Sequence, residues 1–557
     1  MKTKLAILGI DGATYDIIRP MIAQGELPHI ARLLSEGASS ELESTSPPIT
    51  PPAWTSMMTG LNPGKHGVYH FLCRQRQTYD LTLADSSLFS GKDLFSILSQ
   101  RGWTVGGFSV PMTFPPYPVN GYMVSGIPMP MEGSQNAYPE KMWEEMTEFL
   151  GKPYTPDVDY AVFEGKKEPS SENIDRYENL RDELFRVERE RIDIMVEWLK
   201  RDPTKFFFGV ISVTDRCQHY FWKFMDNTHD GWSAEGEKRF KNVIADSYRL
   251  ADDALGRIRK VIGDDCPIAL VSDHGFGPYK SDFHINRWLE DEGYLTFKPI
   301  PRWTVAGTNL HDLLCRVRLS RIARMLPNIV QKIPIVRPKY KKKRDHRDID
   351  WHQTKAFAAL YGICINEAGR EAQGTVNSGD EKKELVAEII SRLRKVINPS
   401  TGESLVDFAE PAEELFCGKY IELSPDILFM LDGLNCLQNE DIDASEHLTT
   451  RKYAAVSGTH RMNGIFAVAG NGVDPNTEFS NMHIQDTAPT LLHMVGEEIP
   501  RMMEGVVATE AFNADWLDKN QQKFCETNND ENDDPSQSWD SEQAAQMKKS
   551  LEGLGYL

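Results

Sequence analysis

Lys4-Leu5-Ala6-Ile7-Leu8-Gly9-Ile10-Asp11-Gly12-Ala13 decides how the rest of this sequence is read. An unbroken apolar run of this length is the mark of a strand in a parallel sheet covered on both faces. It ends on a carboxylate and a glycine. In open α/β sheets, ligands gather outside the carboxyl ends of the strands. Asp11 is therefore a candidate ligand, although an Asx-turn opening the next helix would use the same residue. The start Met1-Lys2-Thr3-Lys4 gives the run the look of a signal peptide. It is too short for one, Asp11 and Asp16 interrupt it, and no small-residue cleavage site follows, so a first strand is the reading.

Two further stretches repeat the pattern. Lys205 to Val213, with Phe206-Phe207-Phe208-Gly209-Val210-Ile211 at its centre, runs into Thr214-Asp215-Arg216-Cys217-Gln218-His219. If a helix begins there, Asp215 and His219 share one face with Cβ atoms about 5–6 Å apart. That suits one metal ion taking a carboxylate and an imidazole. Pro267-Ile268-Ala269-Leu270-Val271 runs into Ser272-Asp273-His274-Gly275-Phe276-Gly277. Adjacent residues of a strand face opposite ways, but the two glycines let the backbone turn so that Asp273 and His274 converge. Three buried strands each ending in Asp point to one polyvalent site. His460, in the Gly-bounded stretch Ser457 to Gly464, is expected as a loop histidine beside a sheet end and as the last ligand.

Pro47-Pro48-Ile49-Thr50-Pro51-Pro52-Ala53-Trp54-Thr55-Ser56-Met57-Met58-Thr59-Gly60 reads as a turn, a buried helix to Met58 and a glycine stop. Proline favours the first helical position, which makes Thr50 a candidate N-cap. A hydroxyl there lies in the positive field of a helix N-terminus, where a phosphoryl group is welcome. Lys65 and His66, in the turn-rich loop Gly60 to Gly67, read as solvated, with substrate contact as the alternative.

The 557 residues exceed the roughly 250–300 of a single core, so one large domain with insertions, or two domains, is expected. With 40% hydrophobic and 26% charged residues, the chain has a globular composition. A net charge of −20 argues against general nucleic-acid or anionic-membrane binding. No apolar run approaches the ~20 residues of a membrane span. Eight scattered Cys without CxxC spacing suit a reducing cytoplasm. The fold expected is α/β, a mostly parallel central sheet covered by helices on both faces, with inserted cap segments. Composition divides the chain into core at 1–128, 176–295 and 351–515, insertions at 129–175 and 296–350, and a tail at 516–557. Long helices are expected over Asn173–Lys200 and Glu237–Ile262. The basic run Lys339–Arg347 is a solvated face or a guide for an anionic substrate. The acidic stretch Asn528–Asp534 reads as disordered.

Gly9-Ile10-Asp11-Gly12, Thr50-Pro51-Pro52-Ala53-Trp54-Thr55, Thr214-Asp215 to His219, Ser272-Asp273-His274-Gly275 and Gly458-Thr459-His460 together resemble the ordered motifs of the alkaline phosphatase superfamily. The resemblance is nearest to its type I phosphodiesterase/nucleotide pyrophosphatase branch, and it runs from about residue 5 to 510. It implies two divalent metals on one sheet. Asp11, Thr50, Asp273 and His274 would hold one, and Asp215, His219 and His460 the other, with Thr50 as nucleophile. Ala53 stands where the pyrophosphatases carry Asn, and Tyr69-His70-Phe71 departs from their phosphate-holding Asn. The Thr-Pro-Pro-Ala-Trp form is closer to a group of bacterial and archaeal phosphohydrolases.

On the residues' own chemistry, a threonine hydroxyl needs a metal to become a nucleophile. The expected course is attack by Thr50 on phosphorus, departure of the alcohol at the Asp215/His219/His460 metal, and hydrolysis of a phosphothreonine. Three carboxylates and one alkoxide cancel two divalent ions, so a neutral site suits a monoanionic diester, unless Arg461 or Lys65 points inward. The donor mix favours zinc, with manganese second. The substrate is expected to be a small phosphoester, with nucleotide-like ones among the candidates. A monoesterase, a phosphomutase or phosphotransferase, and a metal-bound scaffold without turnover are the alternatives. Tyr69, Phe71 and Trp222 read as core rather than stacking platforms.

Overall fold

The computed structural model describes residues 2–158, 160, 174–298, 346–399, 401–442, 444, 446–451, 454–526 and 539–553. Its centre is a nine-stranded sheet: β1 (Leu5–Ile10), β2 (Ala38–Glu43), β3 (Val105–Val110), β4 (Gly121–Ser125), β5 (Ala137–Tyr138), β6 (Phe206–Ile211), β7 (Ile268–Val271), β8 (Asn463–Ala469) and β9 (Thr477–His483). The strands lie in the order β9-β2-β8-β7-β1-β6-β3-β4-β5. The five from β7 to β4 are all parallel, and antiparallel pairing enters at β8 and at the β5 edge. Helices flank the sheet, giving a three-layer α/β fold of the alkaline phosphatase kind with inserted segments. β1, β3 and β6 are buried along their whole length, as strands covered on both faces must be.

Register brings the strand ends level. Ile10 pairs with Ile211, and Gly9 with both Val210 and Val271. The residues that follow each strand therefore meet at one edge of the sheet. Trp54, from the Thr50–Thr59 helix, packs against this centre, tilted 54° to the Phe208 ring. A Cβ on Gly9 would fall 2.4 Å from the Trp54 ring, so β1 needs glycine there for the helix to seat.

β7 and β8 are antiparallel neighbours, and each continues into a short strand, Gly275–Pro278 and Gly458–Arg461, which also pair antiparallel. Between the tips of this two-stranded arm the chain builds a second sheet. Its strands run in the order Ala356–Ala359, Gly362–Ile365, Ile427–Leu431, Cys436–Asn439, Ser281–His284 and Leu448–Thr450, with Val406–Pro411 pairing onto Ile427–Leu431.

Several boundaries differ from expectation. The described residues of 356–450 build this second sheet rather than rejoining the core at 351, because their short strands pair with one another and with Ser281–His284. Within the supposed 129–175 insertion, Ala137–Tyr138 closes the edge of the main sheet. The helix expected over Glu237–Ile262 is two helices, Ala234–Phe240 and Val243–Ile262. The long helix expected from Asn173 spans Ile174–Arg201. Residues 299–345, which hold most of the basic run, lie outside the described residues, as does the acidic stretch of the tail. No helix among the described residues is long and apolar enough to cross a membrane.

Candidate metal centre

All seven predicted site residues converge at the carboxyl edge of β7, β1 and β6, and all are buried. Asp11 is the first residue past β1. Gly12 follows with φ +69°, a left-handed turn in which a Cβ would stand 2.9 Å from Phe276 and 3.2 Å from the Asp215 backbone. Asp215 and His219 sit one turn apart on the Val213–Met225 helix, as their spacing predicts. Asp273 and His274 occupy the turn between β7 and the strand Gly275–Pro278.

His460 is not in a loop. It lies on the strand Gly458–Arg461, opposite Phe276. Gly458 makes this strand possible, since a Cβ there would meet the Gln218 carbonyl at 2.3 Å. Thr50 is not the cap of its helix either. Ile49 is the extended residue before the helix, and Thr50 is the first helical residue. Its hydroxyl is turned to His274 Nε2 at 3.3 Å instead of back onto the helix. Pro51 and Pro52 carry no amide hydrogen, so of the first three helical residues only Thr50 offers one.

Two groups of ligand atoms result. Asp11, Asp273 and His274 form one and Asp215, His219 and His460 the other, with the donor atoms of each group within 4.8 Å of one another. The groups abut, because the His274 and His460 rings stack with centroids 3.6 Å apart. His274 Nε2 lies 3.1 Å from Asp273 Oδ2 and 3.7 Å from Asp11 Oδ1. Asp215 Oδ1 lies 3.4 Å from both His219 Nε2 and His460 Nε2.

The outer contacts fix what these atoms can do. His219 Nδ1 lies 3.0 Å from the Gly458 carbonyl, His460 Nδ1 2.9 Å from the Pro48 carbonyl and His274 Nδ1 3.1 Å from the Gly275 carbonyl. A nitrogen facing a carbonyl oxygen must donate. All three rings therefore carry hydrogen at Nδ1 and turn an Nε2 lone pair inward, the arrangement of metal-binding histidines. Among the described residues, Asp11 Oδ1 and Asp273 Oδ2 are buried and accept no hydrogen bond. Inward lone pairs from three imidazoles and three carboxylates, shut away from water, fit cations and little else. A ligand set of Asp and His suits two divalent metal ions.

The carboxylates respond to this crowding. Burial, reinforced by the Asp273 and Asp215 charges, pushes the Asp11 carboxyl well above its ordinary range. Burial would also raise Asp215, but His219, His460 and Arg216 outweigh it and hold that carboxyl well below its ordinary range. Burial pulls the His460 imidazole down to about 3, which keeps the ring neutral.

Sequence reasoning missed the residues that hold the ligands. The Trp54 indole donates to Asp11 Oδ2 at 3.3 Å. Arg216, fully enclosed, donates to Asp215 Oδ2 at 2.9 Å and reaches Asp157 at 3.4 Å. Thr214 Oγ1 donates to the Asp11 carbonyl, and Ser44 Oγ to the Asp273 carbonyl. Glu188, on the long helix, accepts from the backbone amides of Ser212 and Val213 and so caps the helix that carries Asp215 and His219. Arg216 stood beside Asp215 in the motif itself, which was a usable signal. Glu188 lay in a run of alternating charge that reads as a solvated face.

The two cations considered from sequence turn away. Arg461 donates to the carbonyls of Leu434 and Pro278, and Lys65 pairs with Glu504. His66 is not in a solvated loop but buried, with Nε2 2.9 Å from Ser56 Oγ. Tyr69 and Phe71 are core, as expected, and Trp222 stacks on Phe276.

The profile of the type I phosphodiesterase / nucleotide pyrophosphatase family matches residues 5–396. No curated protein matches the chain. Among solved structures, phosphonoacetate hydrolase from Sinorhizobium meliloti 1021, in complex with phosphonoacetate, is similar at 13% identity and TM-score 0.49, over 89% of this chain and 96% of that one. Murine ectonucleotide pyrophosphatase / phosphodiesterase 5 in complex with AMP is similar at 12% identity and TM-score 0.48, over 89% and 96%. The human form of that protein is similar at 13% identity and TM-score 0.48, over 92% and 98%.

Proposed function

The chain belongs to the type I phosphodiesterase / nucleotide pyrophosphatase family and is a metal-dependent phosphohydrolase, and from that premise we propose that it is a phosphodiesterase with Thr50 as nucleophile. The observation that carries the reading is a buried threonine hydroxyl, 1% exposed, beside the first of two abutting ligand clusters.

In this reading Asp11, Thr50, Asp273 and His274 hold one divalent ion, and Asp215, His219 and His460 hold the other, zinc before manganese. When bound, the ions supply the positive charge that acidifies the threonine hydroxyl and stabilises the departing oxygen. Thr50 forms the bond to phosphorus while the ester oxygen on the opposite side leaves with its electron pair. Water then cleaves the phosphothreonine and restores the hydroxyl. The seating of Trp54 on Gly9 fixes the helix, and with it the line of attack.

Charge favours a diester. Three carboxylates and a Thr50 alkoxide balance two divalent ions. Arg216 is offset by Asp157, and Arg461 and Lys65 face elsewhere. A neutral centre matches a monoanion better than a dianion.

We also infer that the second sheet caps this site and that the substrate is a small phosphoester rather than nucleic acid, given the charge of −20. Free cysteines, among them Cys73, Cys217 and Cys436, suit a reducing compartment such as the cytoplasm.

The test is turnover of bis-p-nitrophenyl phosphate against p-nitrophenyl phosphate by metal-loaded protein, beside Thr50→Ala and a chelated sample. Diester turnover lost in both controls is the expected result. Monoester turnover alone would overturn the charge argument. Transfer to an added alcohol in place of water would make the protein a phosphotransferase. Two ions retained with no turnover would make it a scaffold.

A further inference from the structure

An apolar cleft opens beside the second ligand cluster. The turn before the nucleophile forms one wall, with Pro47, Pro48 and Ile49. The second sheet forms the other, with Tyr361, Phe429, Met430, Leu434 and Leu437. His219 and His460 also line it, whereas Thr50, Asp11, Asp273 and His274 do not. Among the described residues no Asp, Glu, Lys or Arg lines it. Its polar side chains are few, and the Gln438 amide already donates to the Phe429 carbonyl.

Two of these walls sit on unusual backbone. Tyr361 has φ +57° and Leu434 φ +65°, left-handed conformations that side chains of this size rarely adopt. Both turns are pinned. The Tyr361 amide donates to Glu440 at 3.3 Å, and Arg461 donates to the Leu434 carbonyl at 2.8 Å. Backbone held in such conformations clusters at ligand-binding positions, where the surroundings over-determine it.

We propose that this cleft is the leaving-alcohol subsite and that it selects an uncharged, apolar alcohol, aryl or alkyl, over one that carries phosphate. The proposal rests on the phosphodiesterase reading above. In an in-line displacement the leaving oxygen departs opposite the attacking one. Thr50 is on the side of the first cluster, so the leaving group lies toward the second, where the cleft begins. The phosphorus–oxygen bond to the alcohol breaks with its electron pair on that oxygen, the bond to Thr50 Oγ1 forms as its proton passes to water, and water protonates the departing alkoxide. A phosphate-bearing leaving group would carry a charge past the second ion into a cleft that no Lys or Arg lines among the described residues, and an unpaired charge there is costly.

The test uses metal-loaded full-length protein and methyl 4-alkylphenyl phosphates, because lengthening the para-alkyl chain leaves the phenol's acidity almost unchanged. We expect kcat/KM to rise about fourfold per methylene for the first few, and P1,P2-dimethyl pyrophosphate to be a poor substrate. Leu437→Arg and Met430→Lys alter partly exposed positions. Each should flatten the alkyl series, and Leu437→Arg should improve the pyrophosphate. Calorimetry of 4-pentylphenol with the Thr50→Ala protein gives a readout that needs no turnover, and binding should be lost when Leu437→Arg is added. An active enzyme with a flat alkyl series overturns the cleft and leaves the phosphodiesterase reading standing. No diester turnover, with 4-pentylphenol bound and displaced by Leu437→Arg, overturns the reaction and keeps an apolar site. No binding of 4-pentylphenol overturns the cleft outright.

Discussion

The Nε2 atoms of His219 and His460 lie 3.2 Å apart, although each ring gives its Nδ1 hydrogen to a backbone carbonyl. Two imidazole lone pairs at that distance repel unless a cation lies between them and Asp215. The protein should therefore purify with two divalent ions per chain. His460→Ala should hold one ion, at Asp11, Asp273 and His274, and lose most turnover. Elemental analysis of both proteins checks the stoichiometry.

Trp54 has a double duty, since its ring seats the nucleophile helix on Gly9 and its indole hydrogen bonds Asp11. Trp54→Phe keeps most of the ring and removes the hydrogen bond. Outer-shell changes of this kind weaken metal affinity by about 10–100-fold. The loss should fall on the first ion only, and competition with a chelator will show whether it does.

Glu188 and Arg191 pair at 2.8 Å and are both enclosed. The same carboxylate caps the Val213–Met225 helix. Glu188→Ala strands a buried guanidinium, which should cost about 3–5 kcal/mol. Replacing Glu188 and Arg191 together by Leu and Met should recover much of the stability without restoring the cap. Urea denaturation measures both effects.

His66 is buried and its imidazole is pushed down to about 3 by burial. The Val68 amide donates to its Nδ1, so Nε2 carries the hydrogen and gives it to Ser56. Its folded pKa lies below the unfolded value of about 6.5. Below pH 6.5 the unfolded chain binds a proton that the folded chain refuses. Stability attributable to His66 is thus complete above about pH 6.5 and declines from there toward pH 3, by up to about 1.4 kcal/mol per pH unit. His66→Asn should reduce that slope in denaturation curves taken between pH 4 and 7.

The centre of the fold was legible because it rests on local rules. β1, β6 and β7 are apolar runs that end in Asp, and their level register follows from parallel pairing. Asp215 and His219 were legible because four residues make one helical turn. The second sheet was not. Its strands are short, and apart from the hairpin Ala356–Ala359 with Gly362–Ile365 most partners lie far apart, as with Ser281–His284 beside Cys436–Asn439. Nothing local announces such pairing. Glu188 was hidden for a related reason: whether a charged helical residue meets water or a neighbouring helix end depends on what packs against it. The difference at Thr50 is finer. The same hydroxyl could cap its own helix or face His274, and the choice is made by residues 224 positions away.

The arm made by β7 and β8 gives the architecture a modular economy. The chain leaves the central sheet on one strand and returns on its immediate antiparallel neighbour, so the second sheet is attached covalently at one joint, while Arg74 with Glu371, Tyr79 with Trp351 and Tyr69 with Phe416 dock it on the core. The strands of that sheet can lengthen, shrink or be exchanged without touching the backbone that carries Asp11, Asp215, Asp273 and the rest of the metal centre, provided those docking contacts are kept. Divergence of substrate preference in such a scaffold is then a matter of swapping the head on an unchanged handle. A chimera cut at residues 280 and 451 would have to carry residues 69–79 with the head, because Tyr69, Arg74 and Tyr79 are its docking surface.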